Sequence, residues 1–212
     1  MENRQSGRNT LRKTLRARRR SLSPLQQSKA ANRLLQQLKR QPLFLRSQRI
    51  AFYLPSDGEI DPRPLIQEAW RRGKQCYLPV LAPGKENRLW FVRHTPTTPL
   101  IKNRFGIPEP RALFRQRFVA RQLDVVFLPL VGFDRQGGRM GMGGGFYDRS
   151  FAFKRNTSSH KPYLVGLAHQ CQQVEQLQLA HWDIPLCAVA TDQEIIVANQ
   201  SRLGRDFYGL IG

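Results

Sequence analysis

Nothing in this chain constrains its fold more than one passage near its middle. An apolar run, VVFLPLV (Val125 to Val131), gives way to six glycines among the nine residues from Gly137 to Gly145, followed at once by Phe146, Tyr147, Asp148 and Arg149. The run reads as a buried strand, the glycines as a bare loop, and the segment after them as the start of a helix. Glycines let backbone N–H groups approach a ligand and take up positive φ, and a helix start adds unpaired donors that favour anions. A phosphate cradle is the functional expectation, and a glycine-rich turn in a sheet protein is the bland alternative. The loop matches neither the P-loop, because no Lys-Ser/Thr pair closes it, nor the dinucleotide fingerprint with its acid further on. Its company favours the cradle. Arg139 supplies a cation for phosphate oxygens, Tyr147 a hydroxyl, and Asp148 a hard carboxylate suited to magnesium.

The rest of the chain reads as alternating helices and strands. Leu11 and Leu15 stand four apart among arginines, which predicts a helix from Ser6 to Arg20 with a narrow apolar stripe. Ser23 and Pro24 announce a second helix running to about Arg40, with Leu34, Leu35 and Leu38 turned inward. Strands are expected at Ile50–Leu54, Gln75–Leu81, Leu89–Val92, Leu123–Val131, Tyr163–Ala168 and Ile195–Ala198, and further helices from Pro64 to Gly73 and from Phe146 to Phe153. Between Arg93 and Arg117 only Phe105 to Pro110 stands out, as a rigid loop. This pattern predicts an α/β fold: a single domain, a largely parallel mixed sheet flanked by helices, and a basic helical pair at the N-terminus. Residues 1–212 are expected to form that one domain, with a core from about 8 to 198 and looser polar ends at 1–7 and 199–212.

Charge is the compositional outlier. The formal net charge is +20, and residues 1–49 alone hold fourteen Lys or Arg against the single acid Glu2. Such a segment attracts polyanions, whether RNA, a membrane surface or a small polyphosphate, unless it is only a solvated helix face. The paired aromatics of RNA-recognition modules are missing, so no specific nucleic acid is expected, although non-specific contact through Arg16, Arg18, Arg19 and Arg20 stays open. No apolar run is long enough to cross a bilayer and the first thirty residues lack a secretory core, so the expectation is a soluble cytoplasmic protein. Cys76, Cys171 and Cys187 form no CxxC pair, and His94, His160, His169 and His181 show no metal-ligand spacing. Both sets are expected to be structural.

The passage FDRQGGRMGMGGGFYDR (133–149) resembles the signature of the 5-formyltetrahydrofolate cyclo-ligase family, also called methenyltetrahydrofolate synthetases. Other pieces stand in that family's order: Arg8 with Leu11 and Arg12, then FYLPSDGEID, RRGKQCYLPVL and HWDIPL, so that the resemblance covers about residues 8 to 192. It implies an ATP-dependent cyclisation of 5-formyltetrahydrofolate to 5,10-methenyltetrahydrofolate, with magnesium, in a monomer. Phosphoryl transfer rests on positioning and charge neutralisation, so the lack of a nucleophilic Ser or Cys is no objection.

Carried over by position, the implied ATP contacts are Arg8, Asn9, Thr10, Leu11 and Arg12, then Arg139, Met140, Gly141, Met142, Gly143, Gly144, Gly145, Phe146 and Tyr147. Arg139 and Tyr147 are the implied catalytic pair, and Asp148 and Asp183 the implied magnesium ligands. Folate contacts fall on Leu54 and Glu59, with Met142 to Phe146 lying between the two substrates. Glu59 has its own rationale, since a carboxylate at a strand end can accept paired N–H bonds from a 2-amino-4-oxopterin edge. Three positions depart from the family pattern: Phe146 stands where many relatives have tyrosine, Arg8 where lysine is common, and Gly144 where some carry a basic side chain.

Overall fold

The computed structural model describes residues 2–84, 87–111, 117–156, 161–180 and 182–198. The helices are α1 (Glu2–Arg20), α2 (Pro24–Leu38), α3 (Pro42–Arg46), α4 (Arg63–Arg71) and α5 (Phe146–Ser150). The strands are β1 (Arg49–Ala51), β2 (Gln75–Leu81), β3 (Leu89–His94), β4 (Leu100–Lys102), β5 (Pro108–Pro110) and β6 (Arg117–Phe118), then β7 (Val125–Pro129), β8 (Gly132–Phe133), β9 (Arg139–Met140), β10 (Tyr163–Leu167), β11 (Ala188–Ala190) and β12 (Ile195–Val197). Eight of them share one sheet in the order β12, β11, β10, β7, β1, β2, β3, β6. Its middle, from β11 to β2, is parallel, while β12, β3 and β6 close the edges antiparallel. This is the expected single α/β domain on a mixed, mostly parallel sheet.

Central β7 is apolar throughout because both its faces are covered, with Val125, Val126 and Phe127 fully buried. Each such side chain stabilises the fold by about 1.5–3 kcal/mol through the area it removes from water. From β1 the chain leaves through α4 to β2 on one side, and from β7 it leaves toward β10 on the other. The order therefore reverses between β1 and β7. A crevice beyond the carboxyl ends of two such strands is where open α/β sheets bind ligands.

Several boundaries differ from expectation, each for a local reason. Helix α1 begins at Glu2 rather than Ser6. Strand β1 stops at Ala51, because Phe52 to Leu54 already bend toward the turn that carries Glu59. The sequence from Phe105 to Pro110 is not a loop throughout: β5 pairs with β4. The helix expected from Phe146 to Phe153 is a five-residue α5, followed by a 3-10 turn over Ala152–Asn156. Strand β11 went unpredicted because its small residues, Ala188 to Ala190, carry neither periodicity nor β-branched bulk beyond one valine. Ser23 does cap α2, accepting from the Gln26 amide while the Gln26 side chain accepts from the Ser23 amide. His160, His181 and the expected loose end at 199–212 lie outside the described residues. No helix among the described residues is long and apolar enough to cross a membrane.

The bare glycine loop is in fact two structures. Its first glycines close a hairpin between β8 and β9, and only Gly141 to Gly145 form the open stretch before α5. Asp134, 2% exposed, holds the hairpin: one carboxylate oxygen accepts from the amides of Gln136 and Gly138 (3.0 and 2.8 Å) and the other from Leu177 (2.9 Å). A Cβ on Gly138 would lie 2.5 Å from that carboxylate, so only glycine lets the amide close on it. Asp134→Ala strands these donors and is expected to cost about 3 kcal/mol, read as a lower denaturation midpoint at unchanged slope.

Candidate active site

The crevice is built from three directions. The segment after β1 brings Leu54 and the Asp57–Glu59 turn, the β9–α5 stretch brings Arg139 and Tyr147, and α1 lies across both. Helix α1 docks because Leu11 and Leu15 pack on Val131, Met140 and Leu177, with Leu15 fully buried. Docking carries Arg8, Arg12 and Arg16, each four residues from the next, along the crevice.

Arg12 donates its Nε to the Gly141 carbonyl (3.0 Å) and Nη1 to the Asn9 side chain (2.6 Å). Burial first, then the charges of Arg8 and Arg16, push its guanidinium below the ordinary value. Cations crowded this way, over a loop of backbone amides, favour a polyphosphate. Arg8 donates to the Gln178 carbonyl (2.6 Å) and stands 3.5 Å from Asp183.

Arg139, 6% exposed, donates Nε to the Ile184 carbonyl (3.0 Å) and makes a close ion pair with Asp148. The same Asp148 oxygen accepts from the Ile184 amide (3.1 Å). A ring of Arg139, Asp148 and Ile184 thus ties β9 and α5 to the chain at Ile184. Asp183 accepts from the Ala180 amide (2.8 Å). The two aspartates therefore flank one stretch of chain, each facing an arginine.

Glu59 is the acid of the crevice most withdrawn from water, with its side chain 11% exposed. Its Oε2 accepts from the Ser56 amide (3.1 Å), and burial pushes its carboxyl up to about 7, opposed mainly by Arg19. Tyr147 faces it from α5: burial first, then the Glu59 charge, raise the phenol above its ordinary value, against the pull of Arg139. The phenol therefore stays protonated near neutrality, a hydrogen-bond donor rather than a base.

Residues 4–192 match the sequence model of the 5-formyltetrahydrofolate cyclo-ligase family. The chain belongs to that family. A protein named 5-formyltetrahydrofolate cyclo-ligase from Escherichia coli is 42% identical over 181 residues, spanning 85% of this chain and 98% of the relative. One of the same name from Haemophilus influenzae is 43% identical over 179 residues, 84% of this chain and 94% of the relative. The solution structure of Aquifex aeolicus 5,10-methenyltetrahydrofolate synthetase superposes with a TM-score of 0.77 at 31% identity, covering 92% of this chain and 94% of that one. These relatives are ligases, and family membership makes this chain an enzyme of that class.

Within this family frame, the expected site residues divide by what they touch. Arg8, Arg12, Arg139, Tyr147, Asp148, Asp183 and Glu59 present polar groups around the crevice. Leu11 and Met140 instead pack beneath the loop, so Met140 could meet a nucleotide only through its backbone. Thr10 turns its hydroxyl to the Ser6 carbonyl of its own helix (3.1 Å), and Leu54 packs on the main core. Met142 is 51% exposed, and Phe146 meets Phe105 edge-on at 5.8 Å. The ring of Phe146 thus keeps an aromatic wall where relatives carry tyrosine. At Gly144, the carbonyl accepts from Asn87 (3.4 Å) and closely from Arg149, so a neighbouring arginine brings charge to the position that lacks a basic side chain.

Sequence reasoning missed Asp57. Arg16 Nε and Arg19 Nη2 each donate to its Oδ2 (2.7 Å), and Arg20 closes on its Oδ1. Those hydrogen bonds hold the Asp57 carboxyl down at about 2, against the cost of burial. Three of the four arginines left open for polyanion contact are therefore committed to one aspartate, and Arg18 is exposed. One signal pointed there: Arg19 continues the Leu11–Leu15 stripe at the next fourth position, on the face that packs inward.

Proposed function

We propose that this chain is a cytoplasmic 5-formyltetrahydrofolate cyclo-ligase, converting 5-formyltetrahydrofolate and ATP to 5,10-methenyltetrahydrofolate, ADP and phosphate. One arrangement carries the assignment beyond family membership: Arg139 pairs with Asp148 in the first turn of α5, and Tyr147 beside it feels the charge of Glu59 as well as of Arg139. An acidic wall suited to a pterin edge and a basic wall suited to phosphate therefore meet at the first turn of α5.

In the proposed reaction, the N5-formyl oxygen attacks the γ-phosphorus and ADP leaves. The N10 lone pair then adds to the activated carbon, the N10 proton passes to the phosphate group, and phosphate departs with the C–O bonding pair. Glu59 and Leu54 orient the folate. Arg8, Arg12, Arg139 and the amides from Gly141 to Gly145 hold the triphosphate and spread its charge. The Tyr147 phenol donates a hydrogen bond where the two substrates meet. Met142 and Phe146 cover the junction and exclude water.

Two carboxylates suffice for magnesium, which keeps waters and substrate phosphates as its other ligands. Asp148 and Asp183 fit that limited role, and among the described residues no group of three or more His, Cys, Asp or Glu forms a self-sufficient cage. Bound with the nucleotide, the ion would neutralise phosphate charge and orient the transferred group. Purified protein with 5-formyltetrahydrofolate, ATP and magnesium is expected to generate the methenyl absorbance. Folded protein giving no product under those conditions sinks the assignment.

A further inference from the structure

Arg19 joins α1 to the Asp57–Glu59 turn and to the end of β7 without touching solvent. Its side chain is 0% exposed. Nε donates to the Asp57 carbonyl (2.8 Å), Nη1 to the Leu130 carbonyl just past β7 (2.9 Å), and Nη2 to the Asp57 carboxylate (2.7 Å). Gln27 from α2 bridges the Arg19 and Gly58 carbonyls at 3.1 and 3.3 Å. At Gly58, where φ is +74°, a Cβ would lie 3.2 Å from the Arg19 carbonyl, so the turn presses directly on the helix.

A buried guanidinium needs one carboxylate to compensate its charge, and Asp57 is that partner. The fourth contact is different. Glu59 Oε1 lies 3.7 Å from Nη2, close enough for attraction and too far for a hydrogen bond. The charge thus orients the carboxylate without using the lone pairs a ligand would need. Glu59 faces Arg19 and Arg16 from α1, Asp57 from its own turn, Tyr53 from the segment after β1, and Tyr147 from α5. Of the forces opposing its burial, Arg19 is the largest.

We propose that Arg19 is the positioning residue for Glu59, tying the Asp57–Glu59 turn to the end of β7 so that the Glu59 carboxylate is held open toward the pterin edge. The proposal rests on the assignment of Glu59 to folate made above. Lysine cannot replace Arg19 fully, because a single ammonium cannot serve three acceptors and a carboxylate in the fixed directions of a planar fork.

The test is a double-mutant cycle read in steady-state kinetics. Arg19→Lys and Arg19→Gln are made alone and together with Glu59→Gln. Arg19→Lys is expected to raise the folate KM about tenfold with the ATP KM within about twofold, and to add less than about twofold once Glu59 is Gln. Arg19→Gln should exceed Arg19→Lys in the same direction, and if it fails to fold the lysine variant completes the cycle alone. An unchanged folate KM, or an equal factor in both backgrounds, overturns the proposal in favour of a merely structural arginine. If Glu59→Gln alone keeps the wild-type folate KM, the folate assignment of Glu59 fails and takes the proposal with it. If Glu59→Gln loses folate affinity while Arg19 shows no coupling, only the proposal fails.

Discussion

Replacing Arg139 by Met is expected to lower kcat about a hundred- to a thousand-fold, the range seen when one preorganised donor to a developing negative charge is removed. The expectation follows from where the residue sits. Its Nε is fixed by the Ile184 carbonyl at 3.0 Å, so the guanidinium cannot wander and its charge is in place before substrate arrives. Stability should fall as well. The Asp148 carboxylate, 17% exposed, would keep only the Ile184 amide, and breaking such a pair from one side costs about 3 kcal/mol or more. The two effects are separated by measuring kcat at saturating substrates, well below the lowered midpoint. Arg139→Lys restores the charge but cannot serve Ile184 and Asp148 together, so a partial recovery of kcat is expected. A folded Arg139→Met variant turning over within threefold of the wild-type rate would take Arg139 off the phosphate path.

The sheet was legible where its chemistry repeats, and illegible where a single contact decides. Val125 to Val131 is apolar on both faces, and a strand so composed belongs in the middle of a parallel sheet, where β7 lies. The helix starts at Ser23 and Pro24 followed from backbone chemistry that acts within one turn. The glycine passage shows the limit. Glycine marks freedom of the backbone without saying how it is used, and here Asp134 turns the first glycines into a hairpin and leaves only the later ones open. The antiparallel pair β4–β5 was hidden because two of β5's three residues are prolines, which propensity reads as loop. At the site, the resemblance supplied Glu59 and Asp148. It could not supply their partners, Arg19 and Ile184, which lie 40 and 36 positions away along the chain and meet them only in the fold.

Glu59→Gln is expected to make the protein more stable at pH 8 while weakening its hold on folate. The native carboxyl is pushed up to about 7 by burial, from an unfolded value of 4.5. Between those values the folded state binds the extra proton, so the contribution of Glu59 to stability declines as pH rises through this window and is fully unfavourable above it. The penalty amounts to about 3 kcal/mol, and an uncharged amide avoids it. His94 and His169 act in the opposite sense. Burial lowers both from 6.5, so each gives stability that grows as pH rises toward that value. The difference between wild type and Glu59→Gln cancels the histidines and isolates the carboxyl. That difference should be near zero at pH 4.5 and rise to its plateau near pH 8, measured as denaturant midpoints. Folate binding should run the other way. The ionised carboxylate can accept two N–H bonds from a pterin edge, whereas a protonated acid or an amide offers one acceptor and one misplaced donor. Wild-type affinity should therefore fall as pH drops below 7, and Glu59→Gln should sit about a hundredfold weaker at pH 8, where a charged acceptor is lost. Stability and affinity moving in opposite directions along one titration would mark Glu59 as an acid kept at a structural cost for what it binds. Parallel movement, or no stability difference between the two proteins at pH 8, would make it an ordinary buried turn residue.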